Sequence, residues 1–320
     1  MSGMNESIVL VGGGGGVYRV ARFLKNIRPN ITTIQTVFDH GRHSGQLRDE
    51  RGVLPPGDIR QAILALSDDK LEPTLRKLMS YRFVEKGNSS LNNATVGNIL
   101  LTALTEIEGS LPAAINALCK VCNVRGTVLP VSLGDAELCV TLSDGTVVHG
   151  EGNIDNRSIE DDRSIVKAHL EPQAHIFVEA YKALAEADKI VFCPGDLYTS
   201  LIPNILVNGF SDAVLDSHAE LIYITNIMTK KAETHGFTVS DFARILWSEL
   251  NSGMIDTVVF NSESIDPVFI DKYANEKSYP VLFAADVNKY AKQVFGAPLV
   301  DYSGGIIRHH ERIASIIAEL

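Results

Sequence analysis

The sequence predicts an α/β fold: a mostly parallel sheet covered by helices on both faces. Three observations carry that prediction. Short, continuously apolar runs recur along the chain, helical apolar stripes separate them, and the first run passes straight into five glycines and a helix. A strand buried on both faces has no polar side to show, so its run is unbroken rather than alternating.

Residues 7–11 (SIVLV) form the first such strand, and Val17, Val20, Ala21 and Leu24 follow at helical spacing. Residues 31–38 (ITTIQTVF) are rich in β-branched side chains, and the polar, glycine-punctuated stretch 39–58 then reads as a long loop. Pro55 and Pro56 stop it, and Asp58 is placed to N-cap a helix with Ile59, Ile63, Leu64 and Leu66 on one side. A second stripe runs through Val96, Ile99, Leu100, Ala103 and Ile107. Residues 136–142 (AELCVTL) alternate instead, SDG offers a tight turn and TVVHG resumes extended chain. A hairpin is therefore expected over 136–150, within an embedded excursion spanning 130–172. EGNIDNRSIEDDRS reads as loop, and VEAYKALAEA as the helix returning to the main sheet. KIVFC, ELIYIT, DTVVF and PVLFA are four further strands, and RIASIIAEL a last helix. No repeat or linker divides the chain, so residues 1–320 are expected to form a single domain.

With 45% hydrophobic and 21% charged positions over 320 residues, the chain can bury a substantial core, which argues against disorder. No apolar run reaches the roughly 18 residues of a bilayer crossing. The N-terminus lacks the basic start and apolar stretch of a secretion signal, so a cytoplasmic protein without membrane insertion is expected. A net charge of −10 argues against nucleic acid as a partner, leaving any anionic ligand to a local site. Cys119 and Cys122 lie at helical apolar spacing with no second cysteine pair and read as buried thiols; His309 and His310 read as a solvated pair.

Ligands of open parallel sheets bind beyond the carboxyl ends of the strands. That rule selects Gly12, Gly13, Gly14, Gly15 and Gly16, whose backbone can approach a phosphate at a helix N-terminus. A dinucleotide fingerprint is incomplete there, because its third glycine falls on Val17, Tyr18 or Arg19. The loop 39–58 adds Asp39, Ser44, Arg48 and Asp58, together with His40, Arg42 and His43. This mixture suits a diphosphate gripped by arginine forks or through a divalent ion on carboxylate oxygens. A zinc site on Asp39, His40 and His43 has suitable ligands but no recognised spacing. The segment after KIVFC brings Gly195, Asp196, Tyr198, Thr199 and Ser200 to a helix entrance, where the hydroxyls could bind an anion or cap the helix. Asn226 and Thr229 follow ELIYIT, where an amide could read a base or a sugar hydroxyl, and Arg308 is a candidate bidentate phosphate donor.

These stretches carry a resemblance. VGGGGGVY, TVFDHGRHSGQLRDE, LPPGDIRQAILALSDD, CPGDLYTSLIPNILVNG and ITNIMTKKAETHGFT resemble, in order and spacing, the gluconeogenesis factor (YvcK-like) family, which is similar to the CofD 2-phospho-L-lactate transferases. The resemblance implies a three-layer αβα, Rossmann-like (CofD-like) fold and a nucleotide-sugar site of the UDP-N-acetylglucosamine type. It also implies a role in central carbon metabolism and in cell-envelope or shape homeostasis, with no reaction established for this branch. It maps Gly97 and Asn98 onto the family's glycine–asparagine pair, and Tyr273 and Arg308 beside the nucleotide sugar. The chain departs from the pattern at Gly15 (usually threonine), Tyr18 (usually proline), and His40, Arg42 and His43 (usually aspartate, glycine and serine). The second carboxylate is the implied metal-binding element of the transferases, and His40 replaces it.

Two readings follow. The first is a cytoplasmic regulator, expected as a homodimer, that binds a nucleotide diphosphate sugar without turning it over. The second is a Mg2+-dependent transferase acting on a diphosphate-linked donor, with Asp39 and Asp58 as candidate catalytic and metal-binding residues. A nicotinamide oxidoreductase is a third class, and no cofactor binding of that kind is expected.

Overall fold

The computed structural model describes residues 6–39, 53–70, 73–87, 89, 91–251 and 253–320. The first half runs β1 (Ile8–Gly12), α1 (Gly14–Leu24), β2 (Ile31–Gln35), α2 (Gly57–Leu66), α3 (Pro73–Ser80), α4 (Val96–Glu108), α5 (Leu111–Val121) and β3 (Thr127–Pro130). The excursion contains β4 (Glu137–Leu142), β5 (Val147–His149), α6 (Glu151–Asp155) and β6 (Ile165–Glu171). Then come α7 (Val178–Ala185), β7 (Lys189–Phe192), a π-helical turn (Leu197–Leu201), α8 (Ile202–Ile205), α9 (Phe210–Asp216) and β8 (Glu220–Ile224). The chain ends with α10 (Lys231–Thr234), α11 (Val239–Leu250), β9 (Ile255–Asn261), α12 (Pro267–Ala274), β10 (Ala291–Ala297), β11 (Val300–Asp301), β12 (Arg308–His309) and α13 (Arg312–Glu319).

Seven strands make the main sheet in the order β10-β9-β8-β7-β1-β2-β3, with every pairing parallel. β1 and β7 are fully buried, as their unbroken runs require. Two large apolar clusters form around the sheet: Val9, Val11 and Phe192 belong to one, Ile8, Leu10 and Val191 to the other. Successive side chains of a strand point to opposite faces, so this alternation is the three-layer arrangement expressed residue by residue. The excursion forms a separate antiparallel sheet, β5-β4-β6, which packs Leu138, Val140 and Leu142 onto the first cluster. Among the described residues, no helix is long and apolar enough to cross a membrane.

The structure corrects the sequence reading at several places. The stretch 151–164 is not all loop: it starts with α6, and β6 follows as the third strand of the excursion. PVLFA is not a strand. Its Val281 N–H donates to Ile227 O and its Leu282 O accepts from Val239 N, so its backbone groups are used by loops; β10 takes the sheet position beside β9. On α4 the buried residues are Gly97, Asn98, Leu101 and Thr102, while Ile107, from the expected stripe, is 75% exposed. Packing distance decides that face, because a Cβ at Gly97 would stand 2.5 Å from Arg60 Cδ and 2.6 Å from Met79 O. Asp58 does not cap its helix: α2 begins at Gly57 behind Pro56, and Asp58 lies in the first turn. His309 is buried rather than solvated, with Nε2 3.0 Å from Thr225 O.

Candidate functional site

The strand order reverses between β1 and β7, since β1 is flanked by β2 on one side and β7 on the other. Loops leaving the carboxyl ends of such a pair diverge and open a crevice. The glycine turn after β1 and the Pro194–Gly195 turn after β7 meet there. A Cβ on Gly16 would overlap the Pro194 carbonyl oxygen, and one on Gly195 would lie 3.7 Å from Gly13 O. Asn226, two residues past β8, fastens the second turn: Gly195 N–H donates to its Oδ1 at 3.3 Å and its Nδ2 donates to Gly195 O at 2.8 Å.

One side of this seam opens into a cavity of about 600 Å³ lined by Gly15, Gly16, Tyr18, Arg19, Arg22, Gln61, Pro194, Gly195, Asn226, Ile227, Met228, Tyr273, Ile307, Arg308 and His309. The N–H groups of Gly15 and Gly16, in the first turn of α1, have no intrahelical acceptor. Three arginines line the wall with unequal freedom. Arg19 is committed, through an ion pair with Asp301 and a 2.9 Å bond from Nε to His309 O. Arg22 donates to the Tyr18 hydroxyl at 3.2 Å and lies over its ring. Arg308 donates to Ser303 O at 3.3 Å and is exposed. Neither Arg22 nor Arg308 has a carboxylate partner among the described residues. Burial and the neighbouring Arg308 and Arg22 lower the pKa of Arg19. His309 is pushed down to about 4, first by burial.

The other side is acidic. The Asp58 carboxylate accepts from Gly14 N–H, and burial and then Asp39 raise its pKa to about 7. Glu151, carried in from the excursion on α6, shares a hydrogen bond with Asp39 and is also raised, chiefly by burial and by that neighbour. Asp196 is raised by burial, Glu233 and Asp58. Lys230 supplies a cation to part of this wall: it pairs with Asp155, with Asp196 at 2.7 Å and with Glu233 at 3.1 Å. The Asp155–Asp196–Glu233 trio is therefore already compensated by an ammonium. Asp39, Asp58 and Glu151 bring carboxylate oxygens, the donor type that hard divalent cations take, to the same wall.

The remaining candidates divide by what they touch. Thr199 Oγ1 donates to Glu233 at 2.9 Å, and the Tyr198 N–H donates to the same carboxylate at 2.7 Å; the Tyr198 ring packs in the core. Both lie inside the π turn, so neither Thr199 nor Ser200 caps it, and the capping position is Asp196. Thr229 is buried and accepts from Tyr279 N–H at 3.0 Å, which fixes the loop after β8. Asn98 accepts from Arg60 Nε at 2.8 Å in a buried pair. Tyr273 accepts from Ile307 N–H at 3.0 Å at the cavity rim. His40, Arg42, His43, Ser44 and Arg48 lie outside the described residues. Sequence reasoning missed Glu151, Lys230, Glu233, Arg19 and Arg22. The two arginines were accessible to it, being three residues apart on the helix that follows the glycine turn.

Comparison with known proteins agrees with this architecture. The 2-phospho-L-lactate transferase CofD family matches residues 8–300. The gluconeogenesis factor of Bacillus subtilis is 37% identical over 321 residues, covering 99% of both chains. The gluconeogenesis factor of Halalkalibacterium halodurans is 36% identical, covering 98% of this chain and 96% of its own. A crystal structure of a Bacillus halodurans protein superposes with a TM-score of 0.91 at 36% identity, over 98% of this chain and 99% of that one. The chain therefore belongs to the CofD family, on the gluconeogenesis factor side of it.

Proposed function

We propose that this protein is a cytoplasmic regulator of central carbon metabolism and cell-envelope homeostasis that binds a nucleoside diphosphate sugar of the UDP-N-acetylglucosamine type without consuming it. The carrying observation is the cavity at the switch point, where Arg22 and Arg308 stand without carboxylate partners among the described residues and Gly15 and Gly16, in the first turn of α1, line the same crevice. Guanidinium forks and free helix N–H groups suit a diphosphate. A cavity of about 600 Å³ falls within the range of small-molecule sites. Tyr18, Met228 and Tyr273 offer apolar and aromatic surface for a base or sugar face. The names of the bacterial relatives support the regulatory role.

The acidic wall favours a second reading, a Mg2+-dependent transferase of the CofD type. Asp39 and Asp58, with Glu151, would hold the ion, which supplies charge neutralisation to a diphosphate leaving group. His40, standing where the transferases have a second carboxylate, favours the regulator.

Native mass spectrometry of the protein mixed with UDP-N-acetylglucosamine and Mg2+ separates the readings. One intact ligand per chain, unchanged after prolonged incubation with candidate acceptors, is the expected result. Release of UDP or UMP would establish turnover, and no adduct at saturating ligand would overturn both readings.

A further inference from the structure

The excursion sheet carries a cluster that the switch-point site does not use. Cys139, at the centre of β4, lies directly opposite His149 on β5 and His169 on β6, with Glu137 opposite Glu171 two residues away on the same face. Leu138 and Val140 take the other face into the core. Cys139 is nevertheless 0% exposed, enclosed on the outer face by these cross-strand side chains. Its Sγ lies 3.2 Å from His149 Nδ1 and 4.0 Å from Glu171 Oε2, while Glu137 Oε2 lies 3.7 Å from the same His149 Nδ1. Ligand atoms of Glu137, Cys139 and His149 all fall within 4.8 Å of one another, and so do those of Cys139, His169 and Glu171. His169 Nδ1 is buried and has no hydrogen-bond partner among the described residues.

The arrangement is unlike a catalytic cysteine–histidine–acid relay. In a relay the thiol and the acid occupy different ring nitrogens, so that one proton can be passed while the other is held. Here both converge on Nδ1. Convergence on one nitrogen is how ligands of a shared cation are disposed. Bond lengths of about 2.3 Å to sulfur and 2.0–2.2 Å to nitrogen and oxygen put tetrahedral S···N and N···O separations at about 3.6 and 3.4 Å. The 3.2 and 3.7 Å separations differ from these by amounts that side-chain rotation alone supplies.

We propose that the outer face of the excursion sheet binds a divalent transition-metal ion of the Zn2+ class through Cys139 Sγ, His149 Nδ1 and a Glu137 oxygen, with His169 and Glu171 on the other flank of the same sulfur. A thiolate with imidazole and carboxylate selects a borderline-soft ion and rejects Mg2+. Binding forms a metal–sulfur bond and sends the Cys139 thiol proton to solvent; His149 coordinates as the neutral imidazole with its proton on Nε2. The His149 and Glu137 side chains are 53% and 38% exposed, so the ion can enter without unfolding the sheet.

The test uses the full chain, stripped with a chelator and then titrated with Zn2+ or Mg2+ alone against a chromophoric competitor, with Co2+ as a spectroscopic substitute. One Zn2+ per chain, a sulfur-to-cobalt charge-transfer band and no comparable Mg2+ affinity at this face are expected. Cys139→Ala should abolish the band. His149→Ala, at a half-exposed position that leaves the fold intact, should weaken Zn2+ on the order of 100-fold, since even outer-shell partners are worth 10–100-fold. Cys119→Ala should leave both unchanged. Absence of a charge-transfer band from the folded protein, or Zn2+ affinity unaltered in His149→Ala, would overturn the proposal. The pair would then be a cross-strand hydrogen bond only, and any remaining ion would belong to the carboxylates near Lys230.

Discussion

The two sides of the glycine turn are built in opposite ways. On the cavity side, Arg22 and Arg308 hold hydrogen bonds to a hydroxyl and a carbonyl and remain free to take a charged acceptor. On the other side, Asp58 and Glu151 are half-buried with their pKa values raised, and Lys230 is already shared among Asp155, Asp196 and Glu233. The basic wall is prepared for an anion as it stands. The acidic wall carries charge it holds poorly and gains from a cation or a donor hydroxyl. A diphosphate sugar lying across the seam, phosphates toward one wall and sugar hydroxyls toward the other, would satisfy both.

The seam itself should show the largest effect. Gly16→Ala forces a Cβ into the Pro194 carbonyl, so the two turns must part; a loss on the order of 3 kcal/mol or more is expected from such overpacking. A lowered Tm and lost ligand binding would check it, and a wild-type melting curve would show that the turns are not in contact.

The acidic wall is probed by Asp58→Asn. The folded pKa of Asp58 is raised above the unfolded value, to about 7, so its contribution is full below the unfolded pKa near 4 and disappears as pH climbs to about 7. Removing the titration should flatten the stability profile between pH 4 and 7 and favour the variant at pH 8 by roughly 2–4 kcal/mol. Denaturant unfolding across that range reads this directly.

The basic wall has the opposite slope. His309, behind Arg19, is held neutral with a folded pKa near 4 against an ordinary 6.5. The unfolded chain takes the proton first, so stability present above pH 6.5 is lost as pH falls from 6.5 to 4, by on the order of 3 kcal/mol. His309→Gln, which keeps a donor for Thr225 O but does not titrate, should lose less over that window. The smallest effect is at Arg22: its replacement by Ala should weaken UDP-N-acetylglucosamine about tenfold with no change in Tm, as for one charge-assisted contact.

Much of this was legible locally. The five glycines, PPGDIR and CPGDLYTS announce their turns because each rests on the conformations of adjacent residues, and continuous apolar runs identify β1, β7, β8 and β9. What was not legible depends on distant partners. Glu151 reaches the site only because the excursion folds back, and nothing in EGNID signals that. The buried face of α4 is chosen by the approach of Arg60 and Met79 at Gly97, which a helical wheel of the sequence does not show. PVLFA has the composition of a strand, but its place in the sheet is taken by β10, whose lysine, glutamine and glycine read poorly as a strand.

Isothermal calorimetry with UDP-N-acetylglucosamine, on the wild-type chain and on Arg308→Ala, tests the central claim most directly. Saturable binding at one site per chain, weakened about 10- to 100-fold by the substitution, is the predicted result for loss of a charge-assisted phosphate contact. No heat at high ligand concentration, or an affinity indifferent to Arg308, would contradict it.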